Sequence, residues 1–164
     1  MNLLPEAPAA PAPLRALGAA VDWAIVVLGA AIVAVVFVNV VLHQLDVDIA
    51  WTTEFGELVM VWTTFLGAAA AVRRGSHMAV REVLELLPRG ARRAADAAIQ
   101  LFVAGVLALL VAKGWIAVQA SWGNVLTVLD WPMAVQYLAL PVGSAIALVF
   151  VLWELAGCFS ARSR

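Results

Sequence analysis

Charge is scarce in this chain of 164 residues: 13% are Asp, Glu, Lys or Arg, against 65% in the apolar set. Soluble domains carry about 25% charged residues, and a small domain leaves much of its surface in contact with water. The shortage therefore excludes a soluble enzyme and a disordered scaffold. A net charge of −1 leaves no basic footprint for nucleic acid. Cysteine is almost missing. Cys158 stands alone, which excludes an internal disulfide and a thiolate metal cluster. Histidine occurs twice, as His43 and His77, and no nucleophile, acid and base cluster in the sequence.

What is present is long uncharged sequence. Crossing about 30 Å of hydrocarbon at about 1.5 Å per residue takes about 20 apolar residues. Trp23–Leu45 and Trp131–Trp153 each run 23 residues without a charge. Leu58–Val72 runs 15 and must take its outer turn from the preceding residues. The run that starts at Ala97 is interrupted once, by Lys113, before it ends at Leu129. These runs predict an all-α integral membrane protein with four transmembrane helices, near 19–42, 52–72, 97–120 and 134–156, within a membrane domain over 19–157. Residues 1–18 read as a mobile Pro/Ala-rich tail and 158–164 as a second tail.

The basic residues give the orientation. Arg73, Arg74, Arg81, Arg89, Arg92 and Arg93 lie between helices two and three, Arg15 in one tail, and Arg162 and Arg164 in the other. The 43–51 and 121–133 connections hold no Lys or Arg. Basic loops stay cytoplasmic, so both termini are expected on the cytoplasmic side. Trp51, Trp122 and Trp131 then fall at the outer boundary and Trp23 and Trp153 at the inner one, where an indole with one N–H donor is comfortable. The whole membrane separates His43 from His77, so the pair cannot share a metal or haem.

Between helices two and three, Val80, Val83, Leu84 and Leu87 follow helical spacing, with Arg81, Glu82 and Glu85 opposite. A short amphipathic helix near 77–87, lying on the cytoplasmic interface, is expected. Midplane ionisable groups, the usual mark of a transport pathway, are few. Glu54 and Glu57 sit at the outer start of helix two, where they complement the helix dipole or contact a partner. Lys113 either snorkels or pairs with one of those glutamates. Asn39, Thr63, Thr64, Gln100, Gln119 and Gln136 suit hydrogen bonds between helices. Packing surface is better supplied: Gly67–Ala71 and Gly143–Ala147 are small-xxx-small faces, and Pro141 should kink helix four.

An ordered set of segments, spread over roughly residues 20–156, resembles the small membrane subunit of the tripartite ATP-independent periplasmic (TRAP) transporters, the DctQ type. It comprises Trp51-Thr52-Thr53-Glu54, Val61-Trp62, Phe65-Leu66-Gly67-Ala68-Ala69, Arg73-Arg74-Gly75-Ser76-His77, Leu86-Leu87-Pro88, Leu129-Asp130-Trp131-Pro132 and Tyr137 through Gly143. The chain departs from the pattern at Thr53 and Arg81, where acidic residues are often found. The resemblance implies a non-catalytic subunit of a sodium-coupled organic-acid importer, such as one for dicarboxylates. It implies no cofactor of its own, sodium being bound by a large multi-span permease subunit. A periplasmic solute-binding protein is the second implied partner. Trp51, Glu54, Trp62 and His77 are the implied partner-interaction candidates, with Trp51 and Glu54 toward the binding protein and Trp62 toward the large subunit. Arg73 and Arg74 are candidates for inner-face lipid or partner contact, attraction to anionic head groups being worth about 1 kcal/mol per basic residue. Two other readings stay open: a self-contained four-span oligomeric transporter or channel, and a membrane anchor of a redox or signalling complex.

Overall fold

A computed structural model describes residues 11–47, 49–74 and 88–160. It contains α1 (Ala12–His43), α2 (Thr52–Arg73), α3 (Arg89–Ala120), α4 (Ala134–Tyr137) and α5 (Ala139–Ser160). Four stretches are long and apolar enough to cross a membrane: Ala12–His43, Thr52–Arg73, Ala94–Ala120 and Ala134–Ala156. They correspond to the four expected helices. The proposed interfacial helix near 77–87 and residue His77 lie outside the described residues, as do residues 1–10.

The boundaries differ in instructive ways. α1 begins at Ala12, so residues 12–18 are helix where a mobile tail was expected. Pro13 falls in the first turn, where its missing N–H costs nothing, and Leu14 through Leu17 are good helix formers. α3 begins at Arg89, eight residues before the uncharged run, because Pro88 caps it and arginine and alanine favour helix. The last span is broken at Leu138 between α4 and α5. Pro141 offers no N–H to the Tyr137 carbonyl one turn back, and the break falls in that turn.

The helices pack in a row, α1–α2–α5–α3. α2 and α5 lie inside the row; α1 and α3 form its two edges. Glycines set how closely neighbours approach, Gly114 meeting Pro141 between α3 and α5 and two others closer still. A Cβ on Gly143 would lie 2.7 Å from the Phe65 Cβ and 2.9 Å from its carbonyl oxygen, so α5 meets α2 at backbone contact. A Cβ on Gly18 would lie 2.9 Å from the Arg73 Cδ, so the arginine stem crosses α1 over a bare backbone. Such close approach supplies the dispersion contact that lipid cannot drive by exclusion from water. Val21, Leu66 and Ala70 are buried between α1 and α2, with Ile25, Leu28, Trp62 and Ile146 against them. Gly67, by contrast, has open space beside it, so the expected Gly67–Ala71 face is only partly used within the chain: Ala69 and Ala70 are buried and Gly67 is not.

A candidate scaffold site at the two ends of the second helix

Both ends of α2 are tied by charge, each by different chemistry. At the arginine end, Arg73 and Arg74 converge on Asp22 of α1. Arg73 donates from Nη2 to one carboxylate oxygen of Asp22, and Arg74 Nη2 donates to the other at 3.0 Å. The side chains of Asp22 and Arg73 are about one-third exposed and that of Arg74 two-thirds. Gly18, one turn before Asp22, clears the path by which Arg73 arrives. A shallow groove of about 410 Å³ opens beside this cluster, walled by Ile25, Val26, Gly67, Ala70 and Ala71.

At the opposite end, Glu54 faces the connection between α3 and α4. That connection is a short hairpin. Val125 bridges Pro132 in antiparallel fashion, with Leu126 N–H donating to the Trp131 carbonyl and Met133 N–H to the Asn124 carbonyl, both at 2.8 Å. Pro132 has no N–H, so flanking residues make the bonds. Asp130 takes φ 52°, the left-handed conformation that a short polar side chain tolerates, and turns the chain. Three successive N–H groups at the tip then point one way. Glu54 Oε1 accepts from Thr127 at 2.9 Å and Val128 at 3.1 Å; Oε2 accepts from Val128 at 3.0 Å and Leu129 at 2.9 Å. This is a backbone nest closed on a carboxylate.

Two further bonds support that end. Thr52, buried at the start of α2, donates to Asn39 Oδ1 of α1 at 3.3 Å. Trp62 Nε1 donates to the Val135 carbonyl at 3.1 Å, beside the break at Leu138. Trp51 packs edge-on against Phe55, its own neighbour one turn on, and stays 40% exposed.

The expected site residues thus fall into three groups. Glu54 and Trp62 direct their polar groups to the chain's own hairpin and helix break, and Glu54 forms no pair with Lys113. Trp51 remains available at the surface. Arg73 and Arg74 are joined by a residue that sequence reasoning missed, Asp22. Its signal was legible: one carboxylate at the arginine-rich end of α1, four residues after a glycine. The nest at 127–129 left no such trace, since backbone N–H groups are in every sequence.

A row of four helical spans, tied by charge at both ends of α2, defines a multi-pass membrane protein. A family model described as "Tripartite ATP-independent periplasmic transporters, DctQ component" matches residues 32–161, and the chain belongs to that family. It is accordingly a transporter component of the small-permease type and not an enzyme. It is similar to the ectoine TRAP transporter small permease protein TeaB of Halomonas elongata, 29% identical over 98 residues, covering 58% of this chain and 51% of TeaB. It is also similar to the uncharacterized protein y4mM of Sinorhizobium fredii, 30% identical over 103 residues, covering 63% of this chain and 19% of that protein. The chain therefore aligns with about half of one relative and a fifth of the other.

Proposed function

We propose that this chain is the small subunit of a sodium-coupled tripartite importer of organic acids or similar carboxylates. In this reading it holds a large permease subunit in the bacterial inner membrane and helps a periplasmic solute-binding protein to dock. Sodium and substrate are bound by the large subunit. The observation that carries the proposal is the match to the DctQ family over residues 32–161. The open row of helices supports it, because both edges offer apolar surface for a larger membrane partner. TeaB's name associates that protein with ectoine, so ectoine belongs among the substrates to try. By the positive-inside rule the arginine end, with both termini, faces the cytoplasm and the Glu54 hairpin faces the periplasm.

Reconstitution tests the reading. The chain, the large permease and the binding protein are placed in liposomes, and uptake of dicarboxylates, monocarboxylates and ectoine is followed with and without an inward sodium gradient. Uptake that needs all three proteins and the gradient is expected. Transport by this chain alone would overturn the proposal and favour the self-contained oligomer.

A further inference from the structure

The two edges of the row differ in one residue that a lipid-facing surface has little use for. α1 carries no charge from Trp23 to the end of the helix; Val33 and Phe37 are each 68% exposed. That edge suits hydrocarbon. α3 exposes Phe102, Val106, Leu109 and Ile116, and Lys113 falls in the same stripe by helical spacing and is itself exposed. Lys113 lies seven residues before the end of α3 at Ala120, about 10 Å down the helix axis. Among the described residues Lys113 makes no ion pair. Of the two glutamates that the sequence offers as its partner, Glu54 is committed to the hairpin and Glu57 forms no ion pair with Lys113. An ammonium at this depth in lipid is costly, and such groups generally find a counter-charge.

We infer that the α3 face bearing Phe102, Val106, Leu109, Lys113 and Ile116 is the surface that docks against the large membrane partner, and that the partner sets a carboxylate opposite Lys113. The inference rests on the transporter-subunit reading and adds to it which edge of the row is used. The complementary charge selects the occupant: a stripe of lipid-facing helix needs no cation, whereas an Asp or Glu on a neighbouring helix neutralises one. α1 is then the lipid edge.

Photo-crosslinking in native membranes tests it. A photoreactive amino acid is placed at Leu109, at Ile116 or, on the opposite edge, at Val33, in the full chain expressed together with the large permease subunit and the solute-binding protein. Crosslinks to a multi-span protein are expected from the two α3 positions and not from Val33. Lys113→Glu should lower that crosslink on the order of thirtyfold, whereas Lys113→Arg should keep most of it. The thermal midpoint of the purified chain serves as a folding check and should not move with either substitution. Protein crosslinks from Val33 alone would overturn the choice of face while leaving the transporter reading intact. Crosslinks only to lipid from all three positions would overturn both. An unchanged α3 crosslink in Lys113→Glu would overturn the carboxylate partner.

Discussion

The two ends of α2 solve the same problem with different materials. At the arginine end two side chains meet a third, and every group involved is partly exposed. At the hairpin end one carboxylate meets three backbone N–H groups. The first arrangement depends on charge and tolerates movement, since long side chains can re-form a pair in several geometries. The second depends on shape. A nest exists only while the hairpin holds its tip residues in one conformation, and the carboxylate in turn holds the hairpin. The difference implies that the arginine end is adjustable and the hairpin end is rigid.

Breaking the rigid end should have the largest effect. Glu54→Ala leaves three N–H groups without their acceptor and should cost about 3 kcal/mol. It should also expose the 121–133 hairpin to protease; unaltered cleavage and unaltered thermal midpoint would show that the nest is not what fixes it. Glu54→Gln sharpens the point, because an amide presents one acceptor oxygen where the nest uses two. It should recover less than half of the loss if geometry matters more than size.

The middle of the row comes next. Gly143→Ala drives a Cβ into the Phe65 backbone and should cost about 2 kcal/mol through separation of α2 from α5. The readout is the thermal midpoint in detergent, with a disulfide trap between the two helices reporting their distance. Trp62→Phe keeps a six-membered aromatic ring and removes the five-membered half of the indole together with the N–H that meets the Val135 carbonyl. It should cost about 1 kcal/mol, seen as faster amide exchange around the break at Leu138.

The adjustable end should respond least. Asp22→Asn should lower stability only slightly, and exchanging the charges by Asp22→Arg with Arg73→Asp and Arg74→Asp should restore whatever is lost. Failure of the exchange to restore it would mean that Gly18 and the path of the Arg73 stem set the geometry, and that this end is as rigid as the other. Raised salt should weaken the wild-type arginine end more than the hairpin end, since screening acts more strongly on a pair of full charges than on short hydrogen bonds from backbone N–H groups to a carboxylate.

Much of this architecture was legible in the residues. Long uncharged runs such as Trp23–Leu45 and Trp131–Trp153 leave little alternative to spanning helices, because backbone groups in hydrocarbon must be satisfied within their own segment. The helix starts were read less well. Pro13 sits in the first turn of α1 and Pro88 at the N-cap of α3, places that depend on which side of the proline the helix grows. Among the candidate site residues, Arg73 and Arg74 are marked by their charge and by the family resemblance. Glu54 was picked out for its position in the first turn of α2, yet its partners were not, because a carboxylate's acceptors say nothing about which donors arrive.

The sequence by itself determined how many helices span the membrane, where they lie along the chain and which end carries the arginines. These properties follow from local composition: an uncharged run is apolar wherever its neighbours are. Only the tertiary structure decided the order α1–α2–α5–α3, the convergence of Arg73 and Arg74 on Asp22, and the closing of Glu54 on the tip of a hairpin more than 70 residues away. Those depend on distances between segments remote in the chain. They are set by the backbone approach that Gly18 and Gly143 permit, and no single segment's composition encodes them.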